Sequence, residues 1–209
     1  MTVNKSVQID SVLTELHHDA RFDHIKMLKG ASRSVFRPMK PQDFKDAYLS
    51  ISKKQGEALT ELIRAKNLRT VVEFGTSFGI STLYLAKGVS STGGRIVTTE
   101  LIASKASKAK ENFRNAGVED LIEVRVGNAL ETLRDFNEPI DLLFLDGWKE
   151  LYLPLFRILE GNFRSGTVVY VDNADMADTK AFLRTIAESK KYHLQPEFNG
   201  KVVIITILA

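Results

Sequence analysis

The chain has 209 residues, 44% hydrophobic and 26% charged, with a formal net charge of +3, enough for one α/β domain with a sizeable core and an accessory segment. It contains no cysteine, which excludes a disulfide framework, a thiolate metal site and a thiol nucleophile. No apolar run approaches the length of a membrane span and no charged-then-apolar leader opens the chain, so the expectation is a cytoplasmic protein with no membrane partner.

Residues 1–70 carry 13 Lys and Arg against 8 Asp and Glu, while the remainder is slightly acidic. The basic residues are interleaved with acids and few aromatics, so they read as a solvated helical surface, and nucleic acid is not an expected partner. Residues 7–30 read as helical. Leu13, Leu16 and Ala20 share one face, and Phe22, Ile25 and Leu28 repeat at three, which marks a break or change of face near residue 21. His17 and His18 are adjacent and point about 100° apart on a helix. Neither they nor His24 sit in an H-E-x-x-H pattern, so they read as surface or substrate-facing groups rather than metal ligands.

Gly30, Pro38 and Pro41 make residues 31–42 a loop or boundary. It separates an N-terminal helical cap, residues 1–50, from the main domain, residues 51–209. A helix then starts after Ser52, a good N-cap, and runs to about Lys66. Ala58, Leu59, Leu62 and Ile63 form its apolar face.

From residue 69 strands and helices alternate. Strands are expected at 69–74, 94–100, 121–126, 140–146 and 166–172, with helices at 79–88, 103–115, 129–135, 150–160 and 177–189. Ala116-Gly117 stops the second of these helices. Two last strands, 193–197 and 202–208, are joined by Asn199-Gly200, a strong hairpin signal. The alternation predicts an α/β fold with a parallel sheet and a closing hairpin.

The chemistry concentrates where those strands end, because ligands of open α/β sheets bind at the carboxyl ends of the strands. The first strand runs into Glu73-Phe74-Gly75-Thr76-Ser77-Phe78-Gly79-Ile80-Ser81. Two glycines four apart let the backbone turn tightly and approach a ligand at a helix N-terminus. The spacing differs from the dinucleotide G-x-G-x-x-G pattern, which disfavours a nicotinamide oxidoreductase. Glu100 ends the second strand and can accept from two ribose hydroxyls. Asn128-Ala129 follows the third strand and is an adenine-edge candidate that also suits a helix cap. The fourth and fifth strands end in Asp146-Gly147-Trp148-Lys149 and Asp172-Asn173. Two carboxylates and one amide oxygen on neighbouring strands suit a hard divalent ion such as Mg²⁺.

The glycine turn resembles motif I of the class I S-adenosylmethionine-dependent methyltransferases. The stretches around Asp146 and Asp172 resemble the catechol and caffeoyl-CoA O-methyltransferase group over residues 45–209. The resemblance implies a Rossmann-like, seven-stranded, mostly parallel sheet in the order 3-2-1-4-5-7-6, with helices on both faces. It also implies S-adenosyl-L-methionine as cofactor and a divalent metal, Mg²⁺. Carried over by position, Ile51, Glu73, Gly75, Ser77, Gly79, Ser81, Glu100, Asn128, Ala129, Asp146 and Trp148 match cofactor contacts. Asp146, Asp172 and Asn173 match metal ligands, and Lys149 matches the general base.

Two departures stand out. Gly147 replaces a histidine of the catechol enzyme, which loosens one side of the adenine pocket. A glutamate of the sixth strand that contacts the second substrate hydroxyl has His193 as its nearest equivalent. The expected reaction is therefore methyl transfer to a hydroxyl of a small aromatic acceptor with vicinal hydroxyls. Cap residues such as His24, Arg33 and Arg37 favour an acceptor that also carries an acidic group. The alternatives are a metal-independent methyltransferase and a non-catalytic cofactor-binding regulator. The cap shapes the acceptor pocket, packs a homodimer, or shields the cofactor.

Overall fold

The computed structural model describes residues 5–20, 43 and 51–207. Seven strands form one sheet in the order β3-β2-β1-β4-β5-β7-β6. They are β1 (Thr70–Phe74), β2 (Arg95–Glu100), β3 (Ile122–Val126), β4 (Ile140–Leu145), β5 (Phe163–Asp172), β6 (Tyr192–Glu197) and β7 (Val202–Ile207). The first five run parallel, and β7 inserts antiparallel between β5 and β6. The central strands β1 and β4 are buried nearly throughout. Their β-branched and aromatic runs fit strands covered on both faces.

Alternation along each strand divides the core in two. Val71, Ile96, Leu142, Phe144, Val168, Tyr170 and Val202 face one layer. That layer is built by α1 (Lys5–Ala20), α2 (Lys53–Ala65), α3 (Ile80–Thr92) and α4 (Ala103–Asn115). Val72, Phe74, Leu143, Leu145, Val169, Val171 and Ile205 face the other. It is built by α5 (Ala129–Thr132), α6 (Tyr152–Leu159) and α7 (Ala177–Glu188).

Helix α1 buries Ile9, Val12, Leu13 and Leu16 in the same core as α2 and α3. Each such side chain contributes about 1.5–3 kcal/mol when fully buried, so α1 is held by packing. The rest of the expected helix over 7–30, and His24, Gly30, Arg33, Arg37, Pro38 and Pro41, lie outside the described residues. Ser52 caps α2 as expected, in a reciprocal capping box with Gln55.

One element differs from the pattern-based expectation. The helix over 129–135 closes after a single turn, Ala129–Thr132. Arg125 Nη1 takes the Thr132 carbonyl at 2.8 Å, and Leu133 and Phe136 are pulled into the second core. Packing of those two side chains and a side-chain donor on the last carbonyl replace further helical bonds. No helix among the described residues is long and apolar enough to cross a membrane.

Candidate active site

Two carboxylates anchor the turn after β1. Glu73 is fully buried at 0% exposure, and three hydroxyls donate to it at 2.6 Å, from Ser81, Thr82 and Thr98. Burial still raises its pKa; the hydroxyls pull it back down, and Glu100 adds to the rise. Glu73 and Ser81, expected as cofactor contacts, are thus bonded to one another beneath the turn. Gly75 has φ +109° and Gly79 φ +90°. A Cβ at Gly75 would stand 2.8 Å from the Asp146 carbonyl oxygen, and one at Gly79 would stand 2.4 Å from the Phe113 ring. Both the backbone angle and the space exclude a side chain.

Glu100 secures the other side of the turn. Its Oε2 accepts from Ser77 N and its Oε1 from Ile102 N, each at 2.8 Å. Ser77 itself has φ +49°. Burial raises the Glu100 pKa, against the lowering pull of the backbone bonds and of Lys105. The third-strand corner behaves as a cap: Asn128 Oδ1 accepts from Leu130 N at 3.1 Å, and Ala129 is buried. Glu100 and Asn128 still stand at the same sheet edge, after neighbouring strands.

The acid pair forms across β4 and β5. Leu145 pairs with Val171, so Asp146 and Asp172 emerge side by side on the α2 face. The two carboxyls act on one another's ionisation. Burial holds Asp146 well above the usual carboxylate range; Lys149 opposes that, and Asp172 and Glu73 reinforce it. Burial also raises Asp172. Lys149 Nζ stands 3.6 Å from Asp146 Oδ1 and donates to the Gly147 carbonyl at 2.9 Å. Asn173 has φ +55°, a left-handed conformation that asparagine tolerates, and it turns the chain directly after Asp172.

A cavity of about 480 Å³ opens on this corner. Asp172 and Asn173 line it together with Ile51, His17, Gln55 and Lys201. Gln55 Nε2 donates to Asp172 Oδ1 at 2.8 Å. The Tyr170 hydroxyl is buried without a partner among the described residues, and Asp172, Asp146 and Glu197 are the charges that reach it.

The donor set fits a hard divalent cation. Two buried neighbouring carboxyls, an adjacent amide and an orphaned hydroxyl offer oxygen only. No cluster of three or more His, Cys, Asp or Glu stands together among the described residues, so any such ion would rely on Asp146, Asp172 and Asn173 with solvent or acceptor oxygens.

Both sequence departures acquire a structural reading. A Cβ at Gly147 would lie 2.5 Å from the Phe74 ring. The space beside that turn is therefore filled from β1 rather than left loose. On β6, His193 pairs with Thr206, while Glu197 pairs with Val202, which in turn pairs with Asp172. The register thus carries Glu197, not His193, to the edge where Asp172 ends β5, and this corrects the sequence-based equivalence. His193 is exposed and four residues from that edge. Trp148 packs on the second core beside the turn.

His17 reaches the cavity wall, where its Nε2 lies 3.0 Å from the Tyr84 hydroxyl. His18 is exposed beside Asp19. Sequence reasoning missed Gln55, Lys201 and Glu197. Gln55 was visible as the fourth residue of a capping box, but nothing local showed that its amide reaches Asp172. Lys201 and Glu197 needed the strand order.

Comparison with known proteins identifies the family. A sequence model described as O-methyltransferase matches residues 36–202. The chain belongs to the O-methyltransferase family. This O-methyltransferase is 38% identical over 149 residues to a Mycobacterium tuberculosis protein named catechol O-methyltransferase, a match covering 66% of the chain and 67% of that relative. It is 30% identical over 129 residues to a Niastella koreensis protein of the same name, covering 60% of the chain and 58% of that relative. The structure of an O-methyltransferase from Bacillus cereus in complex with S-adenosylhomocysteine superposes with a TM-score of 0.70 at 25% identity, covering 100% of the chain and 94% of the neighbour. The fold and family are those of class I S-adenosylmethionine-dependent enzymes.

Proposed function

We propose that this O-methyltransferase moves the methyl group of S-adenosylmethionine to one hydroxyl of a small aromatic acceptor with vicinal hydroxyls. The observation that carries the reading is the cavity floored by Asp172 and Asn173, beside the Asp146–Lys149 pair. The names of the M. tuberculosis and N. koreensis relatives support the acceptor class.

Asp146, Asp172 and Asn173 would hold a divalent cation, Mg²⁺. When bound, such an ion supplies Lewis-acid help in ionising a hydroxyl, and a phenol near pKa 10 needs it at neutral pH. The chain's own residues do the rest. Glu100 retains acceptor sites for the ribose hydroxyls after bonding Ser77 N and Ile102 N. Gly75 and Gly79 bring bare backbone, and Ser77 its backbone and hydroxyl, to the methionine end of the cofactor. Asn128, Ala129 and Trp148 border the adenine, and Ile51, a cofactor contact by position, supplies apolar wall to the cavity. Lys149, beside Asp146, is the general base placed to take the hydroxyl proton. The acceptor oxygen then attacks the methyl carbon in line as the carbon–sulfur bond breaks. Holding the two reactants aligned supplies much of the rate.

Lys201 on the cavity wall favours an acceptor that carries a carboxylate. The placement of Lys149 at the same corner also supports a second reading, in which Lys149 removes the proton with no cation. Turnover of catechol and of caffeate-like acids, measured with Mg²⁺ and with EDTA at low and high salt, tests both. The first reading expects EDTA to abolish turnover and acids to outperform catechol at low salt. Turnover that survives EDTA selects the second reading. Equal efficiency at every salt concentration removes the carboxylate preference.

A further inference from the structure

We infer that Gln55 sets the ion preference of the site, by holding Asp172 as a one-oxygen ligand that suits Mg²⁺ better than Ca²⁺. This rests on the divalent-cation reading above.

Gln55 is the third residue of the first turn of α2. Its Oε1 accepts from Ser52 N at 3.0 Å and from Ser52 Oγ at 2.7 Å. Those two donors decide which end of the amide is oxygen. The NH₂ group is thereby left facing the site, where it donates to Asp172 Oδ1 at 2.8 Å. The amide cannot flip without placing NH₂ against the Ser52 N–H and carbonyl oxygen against a carboxylate. One side chain therefore closes a helix cap and grips a site carboxylate, across 117 residues of chain.

The grip limits what Asp172 can offer. A carboxylate has two oxygens and about four acceptor sites. Gln55 occupies Oδ1, and the Asn173 backbone N–H also donates to this carboxylate. A cation approaching Asp172 therefore meets two unequal oxygens, Oδ1 already held by Gln55, instead of a symmetric free pair. Ca²⁺ takes six to eight oxygens and commonly chelates a carboxylate with both of its oxygens. Mg²⁺ demands six at shorter range and is served by single oxygens and retained waters. Restricting Asp172 to one oxygen thus penalises the larger ion more than the smaller. The same contact also fixes the carboxylate against α2, and positional rigidity favours the ion with the stricter geometry.

Calorimetric titration of Mg²⁺ and of Ca²⁺ into the full chain saturated with S-adenosylhomocysteine tests this without turnover. Gln55→Glu keeps an N3 acceptor for the capping box, since glutamate serves there as well as glutamine, but removes the donor to Asp172. Ser52→Ala removes the side-chain half of the cap and keeps that donor. The expected result is a Mg²⁺-to-Ca²⁺ affinity ratio lowered about tenfold in Gln55→Glu, whatever the change in absolute affinity. Ser52→Ala should lower the melting temperature and leave the ratio unaltered. An unchanged ratio in Gln55→Glu overturns the inference, as does an equal shift in Ser52→Ala, which would make Gln55 a helix cap and nothing more. If the wild-type protein binds S-adenosylhomocysteine but neither ion, the divalent-cation reading itself fails, and the inference falls with it.

Discussion

Replacing Glu100 with alanine separates cofactor recognition from the integrity of the turn. The carboxylate has about four acceptor sites, and Ser77 N and Ile102 N use one on each oxygen. Acceptor capacity remains on the carboxylate for the hydroxyls of a ribose. Hydrogen bonds to a charged group are each worth about 1.5–3 kcal/mol, but water replaces part of that in the variant. A net loss of about 2.7 kcal/mol, or roughly a hundredfold in affinity, is expected for S-adenosylhomocysteine. The two backbone bonds are lost in free and bound protein alike, so they lower stability by about 1–3 kcal/mol without entering the affinity directly. Calorimetry gives the affinity and urea denaturation gives the stability. A destabilised variant that binds S-adenosylhomocysteine as tightly as wild type would refute the ribose assignment and leave Glu100 as a loop anchor only.

Three further outcomes follow from the same geometry. Asp172→Ala should abolish Mg²⁺-dependent turnover while leaving S-adenosylhomocysteine affinity within about threefold, because its loss spares the Gly75–Glu100 side of the cleft; a matching loss of cofactor affinity refutes the division of labour. Gly75→Ala should cost about 2–4 kcal/mol in urea denaturation, since a Cβ there meets the Asp146 carbonyl at 2.8 Å with φ at +109°. A cost under about 1 kcal/mol would mean the turn is soft.

The third outcome concerns pH. Glu73, Asp146 and Asp172 hold protons more tightly folded than unfolded. Their stabilising contribution is therefore full below the unfolded carboxylate range near about 4 and is lost as pH rises through the folded values. His17, lowered by burial and then by Lys53, acts the other way, with its contribution present above about 6.5. Comparing the metal-free wild type with Asp172→Asn isolates the acids. The melting temperature of the wild type should fall relative to the variant between pH 5 and 8, and a relative rise would refute the assignment.

Much of this protein was legible in the chain itself. The alternation of buried runs and amphipathic helices determined every strand to within a few residues, because burial on both faces demands unbroken β-branched and aromatic stretches such as Val71–Phe74. Gly75 and Gly79, Asp146 and Asp172 announced themselves by position, since a strand end in a parallel sheet is where ligands bind. Ser52 marked a helix cap. All of these are local signals, set by side-chain period and backbone sterics.

Tertiary structure decided what those residues touch. Only the fold shows that Glu73 and Ser81 bond to one another, with three hydroxyls from two elements enclosing Glu73. Gly147 looks like a gap, yet the Phe74 ring fills it. The α5 turn stops early because Arg125 on β3 reaches its last carbonyl. His193 and Glu197 exchange places once β7 inserts between β5 and β6 and sets their register. Each of these depends on a partner distant along the chain. Such contacts arise only when packing brings strands and helices together, and no local propensity encodes them.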